Sequence, residues 1–221
     1  MGGERDFFAA LHNSTQRDFL GRMMDDKAHC MRVARQYGRD FFDGERRYGF
    51  GGYRYDGRWL PTAQAMSRAY GLKPGARVLE VGCGKGYLLY EFTRAVEGCQ
   101  VKGFDISAYA VENGKPEIAG GLSVHRAEDT PWPFEDREFD LVYSIATLHN
   151  LPVYDLKKAL PEMGRVAENA YLCVESYRDE AELFALQCWA LTCESFFSEK
   201  EWLWLYEEFG YGGDYEFIYF K

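Results

Sequence analysis

The sequence predicts an α/β fold in which a mostly parallel sheet carries helices on both faces. Short apolar segments alternate with longer segments of helical periodicity from residue 76 onward, which is typical of repeated strand–helix–strand units. A turn rich in glycine follows the first apolar segment, and polar or charged residues follow the later ones. Because ligands bind at the carboxyl ends of parallel strands, we expect the functional residues at these strand ends.

The chain before the sheet is predicted to be helical. Apolar residues recur at helical spacing, which predicts helix through residues 1–40: Phe7, Phe8, Leu11, Phe19, Leu20 and Met23. Residues 41–61 are rich in Gly, Tyr and Arg, which indicates an ordered loop, and one more helix follows at 63–70. We therefore divide the chain into an N-terminal helical segment with an aromatic lid, 1–70, and a sheet domain, 71–221.

The alternating pattern predicts the elements of the sheet domain in order. Lys73, Pro74 and Gly75 end the preceding helix and introduce the first strand. Ser198 and Glu201 form a capping box that opens the last helix. Strands are predicted at 78–81, 101–105, 122–125, 139–144, 170–175 and 215–220, and helices at 85–96, 109–117, 156–166, 179–193 and 199–209.

The charge of the chain is unevenly distributed. The net charge of −9 argues against nucleic acid as a partner, because phosphate binding needs a basic face. Residues 1–60 hold 11 Lys and Arg against 9 Asp and Glu, a net of +2, so the remaining 15 and 26 leave −11 for residues 61–221. A basic segment on an acidic body could receive an anionic small substrate, or it could be a solvated surface.

The six cysteines show no disulfide spacing, and Cys188 and Cys193 lack neighbours that would complete a zinc site. We expect no metal. The first residues lack the apolar run of a signal peptide, and no stretch is long enough to span a membrane. We therefore expect a cytoplasmic, soluble protein without membrane or nucleic-acid partners, which acts as a monomer or homodimer on a small molecule.

The glycine turn, Gly82-Cys83-Gly84-Lys85-Gly86, is the most informative motif. Its glycines alternate, unlike the G-x-G-x-x-G of dinucleotide-binding proteins, and Glu80 precedes them. A carboxylate is a poor neighbour for a pyrophosphate but a good partner for an ammonium group or a ribose hydroxyl. The turn therefore predicts a nucleoside ligand with a cationic appendage, as in S-adenosylmethionine.

Later strand ends add further candidates. Asp105 ends the second strand, where it could accept hydrogen bonds from a ribose diol or cap the next helix. Ala127 and Glu128 follow the third strand, where they could border an adenine. Ser144, Ile145, His149 and Asn150 lie at and beyond the end of the fourth strand, across the cleft from the glycine turn.

These motifs, in this order, resemble those of class I S-adenosylmethionine-dependent methyltransferases over roughly residues 70–210. The resemblance implies a Rossmann-like sheet, mostly parallel with an antiparallel closing strand, although one strand near the end looks short or missing. It makes residues 71–221 the S-adenosylmethionine-binding catalytic domain, with S-adenosylhomocysteine as product. The cofactor-binding residues that it implies are Glu80, Gly82, Cys83, Gly84, Gly86, Asp105, Ile106, Ala127, Glu128, Ser144 and Ile145.

Residues 48–59 resemble the N-terminal lid of a bacterial subgroup that modifies carbohydrates, so we expect an oxygen of a sugar or sugar-like metabolite as acceptor. A hydroxyl acceptor must lose its proton, and His149 is the predicted base, with a structural hydrogen-bonding role as the alternative. Substrate and lid candidates are Tyr53, Tyr55, Arg58, Trp59, Asn150, Tyr177 and Arg178; the lid aromatics could instead only pin the lid to the body.

Two other functions remain open at this stage. A protein that binds S-adenosylmethionine or S-adenosylhomocysteine without catalysis would need the same cradle, and an intact lid with His149 argues against it. An NAD(P)-dependent oxidoreductase would need the G-x-G-x-x-G motif, which is absent here.

Overall fold

The computed structural model describes residues 2–221. Six strands form one sheet in the order β3-β2-β1-β4-β5-β6, and every pair of neighbours is parallel. The strands are β1 (Arg77–Val81), β2 (Gln100–Asp105), β3 (Leu122–Val124), β4 (Phe139–Ile145), β5 (Ala167–Glu175) and β6 (Asp214–Ile218). The strand order reverses between β1 and β4. The segments that follow these two strands therefore run in opposite directions and open a crevice at the carboxyl ends of the strands.

Ten α-helices lie among the described residues, and short 3₁₀ turns occur at Arg46–Tyr48, Pro116–Gly121 and Leu148–Asn150. The α-helices are α1 (Ala9–Asn13), α2 (Phe19–Met24), α3 (Lys27–Ala34), α4 (Arg39–Phe42), α5 (Leu60–Ala69), α6 (Tyr87–Ala95), α7 (Ala108–Glu112), α8 (Val153–Val166), α9 (Glu180–Trp189) and α10 (Glu199–Glu208). No helix among residues 2–221 is long and apolar enough to cross a membrane.

Two apolar layers cover the sheet, because successive side chains of each strand point to opposite faces. Leu79 and Val81 face one layer, which helices α8 and α10 complete. Val78 faces the other layer, where it packs with Met66 of α5 and Phe92 of α6. The predicted α/β fold with helices on both faces is confirmed.

The predicted antiparallel closing strand is wrong, because β6 pairs parallel with β5. The chain between them passes through α9 and α10, and a crossover of this kind returns it to the end of the sheet at which β5 began. The N-terminal segment then covers the free edge of β6. Arg5 N–H donates to the Tyr215 carbonyl at 2.8 Å, and Tyr215 N–H donates to the Gly3 carbonyl at 3.1 Å.

The helix predicted over residues 1–40 is present as four short helices, the last of which ends at Phe42. Asp18 and Asp26 each start a new helix by accepting a backbone N–H, from Gly21 and His29 respectively. Helix α1 is fixed by Glu216 of β6, whose carboxylate accepts the N–H groups of residues 7, 8 and 9. The helical segment is therefore folded back onto the sheet in short pieces.

Candidate functional site

The glycine turn after β1 is a tight backbone loop at the crevice. Gly82 and Gly84 adopt φ values of +76° and +53°, a conformation that residues with a Cβ rarely adopt. A Cβ on Gly82 would lie 2.2 Å from the Cγ2 atom of Thr147, so no side chain fits between this turn and the segment after β4. The N–H groups of Gly82 and Cys83 both donate to the Phe104 carbonyl, which ties the turn to β2.

Asp105, at the end of β2, holds the same turn in place. Its Oδ2 atom accepts the Gly84 N–H at 2.8 Å, and its Oδ1 atom accepts the Ser107 N–H at 2.8 Å. Burial raises the pKa of Asp105, while these two hydrogen bonds favour the carboxylate. The N-cap of α7 is Ser107, whose side chain accepts the Ala110 N–H. Each Asp105 oxygen thus retains a lone pair for a ligand hydroxyl.

Glu80 carries a buried oxygen without a partner. The Oε2 atom of Glu80 and the hydroxyl of Tyr143 beside it have no hydrogen-bond partner among residues 2–221. Burial raises the pKa of Glu80 well above the usual carboxyl range, the adjacent Tyr143 hydroxyl lowers it in part, and the charge of Asp105 raises it further. A buried carboxyl without a partner is costly, so the site favours a ligand cation at this position.

These groups line one cavity of about 520 Å³, a size within the range of small-molecule sites. Its walls come from the glycine turn, the ends of β2, β3 and β4, and the N-terminal lid. The structure brings together there many of the residues predicted from the sequence: Tyr53, Trp59, Glu80, Gly82, Cys83, Gly84, Asp105, Ile106, Ala127, Glu128, Ile145 and Asn150.

Gly86 and Ser144 do not line this cavity. Gly86 is the N-cap of α6, with φ +71°, and a Cβ there would meet the side chain of Ile118 at 2.8 Å. The Ser144 hydroxyl donates to the Val81 carbonyl at 3.0 Å and is fully buried. Both residues shape the crevice from behind its wall.

His149 lies behind the cavity wall rather than in it. The ring is buried, its Nδ1 atom accepts the Glu175 N–H at 3.2 Å, and its Nε2 atom lies 3.4 Å from a Glu175 carboxyl oxygen. Burial lowers the pKa of His149 to about 3 and raises that of Glu175 to about 7. This placement does not suit the predicted base, and it favours the structural hydrogen-bonding role.

Four predicted substrate residues have partners outside the cavity. The Tyr55 hydroxyl donates to Glu91 at 2.7 Å, and Arg58 pairs with Asp56. Arg178 forms an ion pair with Glu182 and covers the ring of Tyr219. Tyr177 packs in a separate apolar cluster with Leu186 and Phe220.

The lid is fastened to the glycine turn by an ion pair between a buried lysine and a half-buried aspartate. Lys85 Nζ lies 2.6 Å from the Asp43 Oδ2 atom and donates to the Tyr53 carbonyl at 3.1 Å. The hydroxyl of Tyr109 donates to the same Asp43 oxygen, and that of Tyr87 donates to the Tyr53 carbonyl. Tyr53 therefore reaches the cavity on a segment held from both sides.

Sequence reasoning missed several residues that line the cavity. Six come from the N-terminal segment, where the sequence pattern indicated only helix packing or an ordered loop: Phe8, Arg35, Tyr37, Phe41, Phe42 and Phe50. Others are His125, Arg126, Thr147, Leu151, Pro152, Tyr154, Asp155, Thr192 and Glu194. The available signal was the aromatic cluster over 41–59, which predicted a lid but not its inner face.

Residues 78–169 match the model of a family described as "Methyltransferase domain". The chain is 33% identical over 116 residues to a demethylmenaquinone methyltransferase of Roseiflexus castenholzii, covering 51% of this chain and 48% of that protein. It is 27% identical over 128 residues to a 27-O-demethylrifamycin SV methyltransferase of Amycolatopsis mediterranei, covering 52% and 47%. The matched segment thus spans less than half of these relatives.

Solved structures share the fold. The YcgJ protein from Bacillus subtilis aligns with a TM-score of 0.52 at 21% identity, covering 66% of each chain. A geranyl diphosphate C-methyltransferase from Streptomyces coelicolor, in complex with Mg²⁺, geranyl diphosphate and S-adenosyl-L-homocysteine, aligns with a TM-score of 0.52 at 16% identity, covering 66% of this chain and 58% of that one.

Proposed function

The chain contains a class I S-adenosylmethionine-dependent methyltransferase domain, and we propose that it transfers a methyl group from this cofactor to a small-molecule acceptor. The observation that carries the proposal is the unpartnered Glu80 oxygen, which shares one cavity with Asp105 and the glycine turn. Glu80 can pair with the ammonium group of the cofactor, and Asp105 can accept hydrogen bonds from its ribose diol. The absence of side chains at Gly82 and Gly84 lets the aliphatic part of the cofactor lie against the backbone.

When bound, S-adenosylmethionine supplies a methyl group on a positively charged sulfur. The acceptor attacks the methyl carbon from the side opposite the sulfur, and the sulfur leaves with the bonding electrons. The protein's part is to align the acceptor and exclude water. The lid supplies the exclusion, because Tyr53 and Trp59 close the cavity from the N-terminal side and the Lys85–Asp43 pair holds the lid there. The segment after β4 supplies the opposite wall through Ile145 and Asn150.

For the acceptor, we propose a hydroxyl oxygen of a sugar or sugar-like metabolite. Its proton passes to a carboxylate that lines the cavity beyond Asn150 in the chain, that of Asp155, and from there to solvent. Asn150 lines the cavity, and its Oδ1 atom is buried with no partner among residues 2–221, so it can accept a hydrogen bond from a ligand hydroxyl. Aromatic side chains from the lid, among them Phe50 and Trp59, supply surface on which the C–H face of a sugar ring packs. The relatives' names differ in acceptor, so this proposal rests on the cavity alone.

Calorimetric titration with S-adenosylhomocysteine and with NAD tests the cofactor. We expect saturable binding of S-adenosylhomocysteine and none of NAD; the reverse pattern would rule out the proposal. A methyl-release assay over sugars, nucleotide sugars and small acids then tests turnover. Cofactor binding without methyl release from any acceptor would favour a non-enzymatic binding protein, whereas release to a sugar hydroxyl supports the acceptor.

A further inference from the structure

A group of four basic side chains outside the cofactor cavity lacks carboxylate partners. Arg17, Arg22, Lys27 and Arg46 come from the N-terminal segment, and we call them the basic cluster. None of the four forms an ion pair within residues 2–221. The surplus of positive charge in residues 1–60 is therefore gathered in part at one place.

The side chain of Trp189 is the centre of the basic cluster. The guanidinium carbons of Arg17, Arg22 and Arg46 lie 5.6, 4.3 and 4.9 Å from the centroid of its ring system. Lys27 Nζ donates to the carbonyl of the preceding residue, Cys188, at 2.6 Å. Four positive charges thus surround one indole and the backbone beside it.

Backbone carbonyls accept hydrogen bonds from several of these donors without neutralising their charge. Arg22 donates to the Trp189 and Arg46 carbonyls at 2.9 Å each, and Arg17 donates to the His12 carbonyl at 3.1 Å. The Nε atom of Arg17 is buried and has no acceptor among the described residues. This N–H donor therefore remains available, as do the N–H groups of Arg22, Lys27 and Arg46 that form no hydrogen bond within residues 2–221.

The electrostatic cost of this arrangement is visible in the pKa values. Burial, followed by the charge of Arg22, lowers the pKa of Lys27 to about 8; burial, followed by the charge of Arg46, lowers that of Arg22 to about 10. The single carboxyl that acts on Arg17 and Lys27 from the body is Glu175, which burial makes a weak acid with a pKa of about 7. An anion bound here would relieve the repulsion among the four cations.

Two residues that line the cavity lie within four residues of Trp189 or of a member of the basic cluster along the chain. Thr192 lines the cavity three residues after Trp189, and three residues of extended chain span at most about 11 Å. Phe50, which also lines the cavity, follows Arg46 by four residues. A small molecule held at the cluster could therefore reach the cavity with its other end.

We propose that the basic cluster binds a phosphate group of the acceptor. Several guanidinium donors and one ammonium group, with few competing carboxylates, suit the charge and the oxygen acceptors of a phosphate better than those of a monocarboxylate. The inference rests on the proposed function, since it names the acceptor as a phosphorylated small molecule. It adds a binding site that the cofactor cavity does not contain.

Titration of inorganic pyrophosphate into the full chain at low salt tests this site. We expect saturable binding that Lys27→Met and Arg22→Gln each weaken about tenfold or more, since each removes a charge-assisted hydrogen-bond donor. Lys73→Met and Arg68→Gln are matched controls, because both residues carry exposed cations without ion pairs and lie in the segment that precedes β1. They should change the affinity less than twofold.

S-adenosylhomocysteine titrations on the same proteins separate the two proposals. If the unsubstituted protein does not bind S-adenosylhomocysteine, the proposed function is wrong. If it binds S-adenosylhomocysteine but not pyrophosphate, only the inference about the basic cluster is wrong. Equal weakening by the control variants would also overturn the inference, because it would reflect the general surface charge. If a cluster variant does not fold, hydrogen exchange of the unsubstituted protein decides: pyrophosphate should protect amides within 17–46 and 186–192, and absence of protection would contradict the site.

Discussion

Replacing Asp105 with asparagine separates its two duties, the support of the glycine turn and the recognition of a ribose. The carboxylate accepts the N–H groups of Gly84 and Ser107, one on each oxygen. An amide has one acceptor oxygen, so one of these bonds is lost, at a cost of about 1.5–3 kcal/mol of folding free energy. The amide nitrogen also cannot accept a ribose hydroxyl, so S-adenosylhomocysteine should bind about 10- to 150-fold more weakly.

Calorimetry with two ligands distinguishes a direct contact from a distorted turn. We expect an analogue of S-adenosylhomocysteine that lacks both ribose hydroxyls to bind the unsubstituted protein weakly, and the Asp105→Asn variant almost equally weakly, as for two groups in contact. Asp140→Asn is the matched control, since Asp140 accepts the Arg77 N–H at 2.7 Å at the opposite end of the sheet. If Asp105→Asn weakened both ligands by the same factor, the ribose contact would be refuted and Asp105 would only support the turn.

Three further substitutions test other parts of the site. Gly82→Ala places a Cβ against Thr147 at a positive φ, so cofactor affinity should fall at least tenfold in calorimetry; an unchanged affinity would contradict the close approach. Burial raises the pKa of Glu80, and a bound cation would lower it. Cofactor binding should therefore release a proton, and the affinity should increase as the pH rises above the usual carboxyl range. Glu80→Gln should abolish this pH dependence of the affinity, and its persistence would contradict the ion pair. His149→Ala should lower the unfolding free energy by about 2–4 kcal/mol in urea denaturation, whereas lost turnover at unchanged stability would restore the catalytic role.

The parts of the site that are local in sequence were predictable. Alternating glycines after an apolar strand indicated a backbone cradle, and the structure shows it at Gly82 and Gly84 with positive φ. Asp105 and Ile145 are the last residues of β2 and β4, and parallel topology alone places such strand ends at one edge of the sheet. The strand and helix periodicities of apolar residues thus predicted the fold class, and the residues at strand ends predicted the cofactor side of the cavity.

The parts that depend on long-range packing were not predictable. His149 follows β4, as the sequence pattern predicted. However, the N–H groups of Glu194 and Ser195 both donate to the His149 carbonyl, so this later segment packs over His149. The direction of β6 depends on the path of the chain through α9 and α10. The breaks in the N-terminal helix depend on caps at Asp18 and Asp26, which compete with a continuous apolar pattern.

A crystal structure of the protein with S-adenosylhomocysteine tests the central claim most directly. We predict the ribose hydroxyls on the Asp105 carboxylate, the amino group within hydrogen-bond distance of Glu80, and the backbone of Gly82–Gly84 against the ligand chain. The sulfur should face Ile145 and Asn150 across the crevice. Density for the ligand elsewhere, or in this cavity with its ribose away from Asp105 and its amino group away from Glu80, would contradict the account.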